Sequence, residues 1–341
     1  MQLKQEYSRR RFLRQSFAFS AAMAAPAVIS GCGSGIITNQ FLGPHLLMLG
    51  DWGQEGNYTD QVTVASAMQD YVIRQNLKID ALLMLGDNFY GPLDGGSASS
   101  RWNTQFEQMY PASVFRGPAY AIPGNHDYEV SPMAKYPEEL AYARKAGTRW
   151  TMPSQFYRFE FPEINPLLTI IALDSNVTIP GQPAPPGFYT MSDEQRQTQL
   201  EWLEAELQKP LTTPYLAVIA HHPVYSDGPH GDHPVLVNDW DPLLRKHNVH
   251  LYLAGHDHDM QHLEFDGHPT SFFLSGGGGA GLYPVTTDPA KRGPMAISVH
   301  GFSHIEVKKE WMTLRHLDGS GNLIHAFRKF QDGSVTRLPL S

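Results

Sequence analysis

The chain has 341 residues, 41% hydrophobic and 18% charged, with a formal net charge of −8. That composition suits a large globular core and excludes a disordered polymer. An acidic body binds nucleic acid poorly, so no nucleic-acid partner is expected, and a single cysteine, Cys32, excludes an intrachain disulfide.

At the N-terminus, Ser8-Arg9-Arg10-Arg11-Phe12-Leu13-Arg14 reads as a twin-arginine export signature. The apolar stretch that follows, 17–29, is too short to span a bilayer comfortably. Ile29-Ser30-Gly31-Cys32 resembles a bacterial lipoprotein cleavage box, which would place a lipid anchor on Cys32. Plain cleavage near 25–27 is the alternative. Residues 1–32 are read as a signal peptide, 33–43 as a linker and 44–341 as one large domain. The twin-arginine export machinery is then a partner. The expected location is the periplasm or outer cell surface, with the lipid as a membrane tether. Loss of 1–32 would take the net charge to about −12.

From residue 45 onward, strands and helices alternate. Apolar runs at 45–49 and 81–85 read as buried strands. Helical spacing runs over 60–77, with Asp60 as its cap, and over 101–110 and 137–145. Residues 156–161 and 167–173 read as paired strands, and 192–208 as a helix capped by Ser192 with Asp193 and Glu194 in its first turn. Strands follow at 215–220 and 250–254. Beyond 263 the strands lose their intervening helices: 271–275, 296–300, 304–308, 311–317 and 323–330. The fold class is α/β: a layered β-sandwich flanked by helices, parallel in the first sheet and more antiparallel toward the C-terminus. Its site should lie at the carboxyl edge of the strands.

Five short blocks end these runs or the 120–122 strand: Gly50-Asp51-Trp52-Gly53, Gly86-Asp87-Asn88-Phe89-Tyr90, Gly124-Asn125-His126-Asp127, Val218-Ile219-Ala220-His221 and Gly255-His256-Asp257-His258. Any one of them could be a turn cap or a core histidine. Together they offer the donors of two adjacent metal ions. Asp87 suits the bridging position. Asp51, Asp87 and Tyr90 with His258 are the hard donor set that iron(III) demands. Asn125, His221 and His256 with Asp87 suit a divalent ion such as iron, zinc or manganese. The one-residue spacing of His256 and His258 puts both on one side of an extended segment.

The blocks resemble those of the purple acid phosphatases, within the calcineurin-like metallophosphoesterases. Tyr90 stands where a phenolate binds iron(III), and Gly53 stands where other relatives carry a histidine ligand. The segments 149–158 and 255–261 look like the small, single-domain type, and the resemblance runs from about residue 45 to 330. It implies a metallophosphoesterase fold for 44–341 and a dinuclear site hydrolysing small-molecule phosphate monoesters. Attack on phosphorus would come in line from metal-bound hydroxide, with no phosphoenzyme. His126, next to a ligand, is the first candidate to protonate the leaving group. His230 matches a second pocket histidine of the family, and Asp127 is expected to orient a neighbouring histidine. Pro229 precedes His230 where some members carry another acidic or histidine residue, and His233 is a weaker substitute. His222 should face away from the site at strand spacing.

Two other readings stay open at this point. One is a phosphodiesterase or phytase-like metallohydrolase; the other is a non-hydrolytic iron-binding redox module. The glycine run 276–281 matches a dinucleotide-binding pattern by letter, but no helix follows it, so it reads as a tight turn.

Overall fold

The computed structural model describes residues 43–129, 135–286 and 292–340. The export signal, the lipidation box and most of the linker lie outside them. The alternation of side chains in each apolar run decides the architecture. In β1 (His45–Leu49), Leu46 and Met48 face one hydrophobic cluster while Leu47 and Leu49 face another. In β7 (Tyr215–Ile219), Ala217 and Ile219 face the first cluster, and Leu216 and Val218 a third. Strands apolar on both faces must be covered on both, which yields two sheets face to face with helices outside.

The first sheet has eight strands in the order β15-β14-β13-β12-β1-β2-β3-β4. Here β1, β2 (Ala81–Met84), β3 (Ala119–Ala121) and β4 (Trp150–Thr151) run parallel. The second has seven, with β6 (Leu168–Ala172), β7, β8 (Leu251–Ala254) and β10 (Ser271–Ser275) parallel. Its antiparallel members are β5 (Tyr157–Phe161), β9 (Met260–Leu263) and β11 (Met295–Ile297). The parallel strands expected in the first sheet and the antiparallel ones expected toward the C-terminus are joined in this one sheet. β12 (Gly301–Val307) pairs antiparallel with β1, and β13 (Trp311–Asp318), β14 (Leu323–Phe330) and β15 (Val335–Arg337) extend from it. The C-terminal strands cover the edge that β1 would otherwise leave open.

Helix α1 (Thr59–Arg74) lays Val64, Met68 and Tyr71 on the outer face of the first sheet. Asp60 does not cap it: the preceding Tyr58 makes no capping bond and Asp60 sits in the first turn. Residues 101–110 form a wide turn rather than an α-helix, with Gln108 N–H donating to Asn103 O at 3.0 Å. Its Trp102, Phe106 and Tyr110 are buried with Trp52 and Trp150. Helix α2 (Tyr136–Ala143) stacks Tyr142 on Trp102 at 3.7 Å between centroids. Helix α3 (Asp193–Gln208) begins with a capping box between Ser192 and Gln195. With α4 (Pro234–Asp239) and α5 (Asp241–Lys246) it covers the second sheet. Phe41–Ser341 forms one compact unit. Among the described residues, no helix is long and apolar enough to cross a membrane.

Candidate metal centre

The sandwich brings the carboxyl ends of β1, β2, β3, β7 and β8 together, and each delivers one block. Asp51, Asp87 and His256 have φ of 61°, 50° and 71°. Left-handed backbone is costly for such residues and marks sites where the surroundings hold the chain against its preference. Two glycines make the packing possible. A Cβ on Gly53 would lie 1.8 Å from Asn88 O, so no histidine fits there, and a Cβ on Gly124 would lie 2.2 Å from the Asp87 carboxylate.

Two donor groups result. In the first, Tyr90 Oη lies 3.2 Å from Asp51 Oδ1 and 3.1 Å from His258 Nε2, with His258 Nε2 3.5 Å from Asp51 Oδ1. In the second, Asn125 Oδ1 lies 3.1 Å from His221 Nε2 and 3.0 Å from His256 Nδ1, and these two nitrogens are 3.3 Å apart. Asp87 joins them: its Oδ1 is 3.3 Å from His221 Nε2, and a ligand atom each from Asp51, Asp87 and His258 falls within 4.8 Å of the others. The structure thus gathers all seven side chains singled out as ligands.

The donor chemistry fits metal ions. His221 Nδ1–H donates to Leu85 O at 2.8 Å, and His258 Nδ1–H to Gly281 O at 2.6 Å. Each Nε2 lone pair is thereby aimed at carboxylate, amide or phenol oxygens. Lone pairs so close repel unless a cation sits among them. Metal bonds of about 2.1 Å at right angles put neighbouring donors about 3 Å apart. The titrations express the same demand for positive charge. Burial disfavours a charged His221, but the Asp87 and Asp51 carboxylates outweigh it and raise its pKa to about 10. Burial likewise opposes ionised Asp87, and His221 and His126 overcome it, holding its pKa well below the usual carboxylate range. Burial, together with Asp87 and Asp51, pushes the Tyr90 phenol far up, so a phenolate there requires a strongly charged cation.

The surrounding residues hold these donors in place. Asp51 Oδ2 accepts from His256 N–H at 2.9 Å, and Asp87 Oδ1 from His126 N–H at 2.8 Å. The Arg101 guanidinium donates to the carbonyls of Gly53 (2.8 Å), Tyr90 (2.9 Å) and Pro92 (2.6 Å), tying the first two loops together. The glycine run turns tightly, and its Gly281 carbonyl sets the His258 tautomer. Sequence reading missed Arg101 and Gly281; the bonds that define both span loops far apart in the chain.

The expected acid–base residues are placed differently from one another. His126 and His230 both line a cleft of about 690 Å³ beside the ligands Asn125 and His256. The His126 ring packs 4.3 Å from Tyr90 and 5.3 Å from Phe188, and its Nδ1 lies 3.5 Å from Glu129 Oε2. Asp127 orients no histidine. Its carboxylate accepts from the main-chain N–H of Asn88 (3.1 Å), Phe89 (3.1 Å) and Gly124 (2.8 Å), because the turn His126–Tyr128 points it back at the Asp87 loop. The orienting carboxylate is Asp257, whose Oδ1 lies 2.6 Å from His230 Nδ1. Residues 255–259 form tight turns rather than an extended segment, which frees Asp257 to face His230. His222 is not turned away as expected. It lies beyond the end of β7, lines the cleft and packs 4.2 Å from His256. His233 caps α4 by accepting from Leu236 N–H, and burial lowers its pKa to about 4.

A metal-dependent phosphoesterase is the class of protein that this sandwich and donor set define. The calcineurin-like phosphoesterase family matches residues 44–260. Human tartrate-resistant acid phosphatase type 5 is 31% identical over 306 residues, covering 82% of this chain and 89% of the human protein. Purple acid phosphatase 7 of Arabidopsis thaliana is 26% identical over 288 residues, covering 82% and 84%. The solved purple acid phosphatase PPD1 from yellow lupin seeds superposes with a TM-score of 0.64 at 16% identity, over 86% of this chain and 55% of the lupin one, a likeness of fold. The chain belongs to the calcineurin-like phosphoesterases, in the branch of the purple and tartrate-resistant acid phosphatases. It is therefore a phosphoester hydrolase, and its family works with a dinuclear metal centre.

Proposed function

We propose that this protein is an exported phosphomonoesterase working through an iron(III)–divalent metal pair. Asp51, Tyr90 and His258 would hold the iron, Asn125, His221 and His256 the divalent ion (iron, zinc or manganese), and Asp87 both. The observation that carries this reading is the Tyr90 oxygen within 3.2 Å of both Asp51 and His258: an anionic oxygen set favours a hard trivalent ion. When bound, such a pair supplies Lewis-acid charge to the phosphoryl oxygens and acidifies water.

The chain's own groups do the rest. Water oxygen bonds to phosphorus and gives up one proton to solvent, the phosphorus–oxygen bond to the leaving group breaks, and the leaving oxygen takes up a proton. His230 is suited to provide it, since Asp257 holds Nδ1 and leaves Nε2 open to the cleft. His126 lines the same cleft. Export rests on the Arg9-Arg10 signature and anchoring on Cys32, with the twin-arginine machinery as partner and the periplasm or outer surface as destination. Phosphate release from an aryl phosphate after loading with iron and zinc tests the enzyme reading. Full metal occupancy with no turnover would replace it with a metal-holding redox module. Cell fractionation tests the location.

A further inference from the structure

The cleft has two unlike walls. One carries the metal ligands Asn125 and His256 with His126 and His230; the other is the segment 177–190, presenting Ile179, Pro183, Pro185, Phe188 and Tyr189. That segment is built and fastened. Val177 bridges Met191 at its base, Thr178 Oγ1 and Thr190 Oγ1 share a hydrogen bond of 2.6 Å, and Gln182 N–H donates to Ile179 O at 2.9 Å. Phe188 bridges Glu129 and sets its ring edge-on to His126, so the apolar wall begins beside the reacting centre. Tyr189 is 63% exposed there, an aromatic face with nothing stacked on it among the described residues. No lysine or arginine lines the cleft among the described residues, and its one acidic lining residue, Asp232, is paired with Arg292 at 2.5 Å. A phosphoryl group fills a small part of 690 Å³, and pockets of this size enclose far larger ligands.

We infer that the 177–190 wall receives the leaving group and makes the enzyme selective for monoesters of uncharged, aromatic or apolar alcohols. Esters whose leaving group is itself anionic meet no lysine or arginine on that side among the described residues. This rests on the phosphomonoesterase reading above and specifies its substrate class. Apolar and aromatic contacts with one or two side chains give discrimination on the order of tenfold.

The test compares metal-loaded wild type with the double variant Ile179→Ser/Tyr189→Ser. Both are measured for turnover of 2-naphthyl phosphate and acetyl phosphate, and for inhibition by 2-naphthylmethylphosphonate and methylphosphonate. The expected result is at least about tenfold tighter inhibition by the naphthyl phosphonate in the wild type, shrinking to under about threefold in the variant. Acetyl phosphate, too small to reach the wall, should be hydrolysed equally by both. A naphthyl preference that survives both serines, with phosphate release intact, overturns the leaving-group assignment alone. Absence of phosphate release from every ester by fully loaded wild type overturns the phosphomonoesterase reading and this one with it.

Discussion

Asp257 Oδ1 and His230 Nδ1 lie 2.6 Å apart, although 27 residues separate them in the chain. The carboxylate is fully buried while the His230 side chain is 46% exposed, so a rigid acceptor orients a ring that opens on the cleft. Ser226 Oγ donates to the other oxygen of Asp257 and fixes its rotation. Asp257 itself stands between His256 and His258. The carboxylate that orients His230 and a histidine from each donor group thus share a turn of three residues.

His230→Ala should lower kcat by about a hundredfold with metal content near normal, the usual scale for losing a general acid. Asp257→Asn keeps an acceptor for the ring but weakens the hydrogen bond that orients it, and should cost about tenfold in kcat. Steady-state kinetics with metal analysis on each variant separates the roles. Loss of metal from His230→Ala would move that residue into the ligand set.

Tyr90→Phe removes the phenol oxygen that lies 3.2 Å from Asp51 and 3.1 Å from His258. The iron-loaded protein should lose its purple charge-transfer absorption while retaining the fold, as read by visible and circular-dichroism spectra. A surviving band would take Tyr90 off the iron.

Asp127→Ala should destabilise the protein by about 3–5 kcal/mol, since three buried N–H groups lose one acceptor. Because those groups belong to the loops carrying Asp87 and Asn125, metal affinity should fall with stability. Denaturant unfolding and metal titration measure the two effects together. Asp127→Ala that stays stable and binds metal normally would show the staple to be dispensable.

A second group of histidines sits on β9, β13 and β14. His262 Nδ1 and His325 Nε2 are 2.8 Å apart, and His316 bonds Ser303 Oγ at 2.7 Å and Gln261 O at 3.0 Å. Burial keeps them neutral: it lowers His316 strongly and, with His262 adding to it, brings His325 to about 3. The folded rings bind protons less readily than the unfolded ones, whose pKa is about 6.5. Stability is therefore fully present above about pH 6.5 and drains away as pH falls toward the folded value. His325→Gln should flatten the fall between pH 6.5 and 4 by on the order of 3 kcal/mol. Urea unfolding at several pH values checks the slope, and an unchanged slope would show His325 to be uninvolved.

That the seven donor side chains would meet was legible because their blocks follow buried strands and carry donor types suited to metal ions; Asp51 and Asp87 follow apolar runs that read as strands. The residues that aim those donors were not legible. Asp257 reads as a spacer between two histidines until the turn at 255–259 points it at His230. Arg101 carries no signal in the sequence until its guanidinium meets three carbonyls from two loops. Asp127 sits beside a ligand in a motif, and proximity in sequence suggested a catalytic partner where the turn supplies a backbone clamp. The antiparallel C-terminal strands were expected, but not that they join β1, because alternation reports which faces are buried, not which strand lies alongside. Long-range pairing such as His45 with Glu306 leaves no local signature.

The central claim is that two metal ions share Asp87. Anomalous diffraction from crystals of protein loaded with iron and zinc, recorded at both absorption edges, tests it most directly. We predict an iron peak among Asp51, Asp87, Tyr90 and His258 and a zinc peak among Asp87, Asn125, His221 and His256, about 3.5–4 Å apart. A single peak, or two that share no ligand, would contradict it.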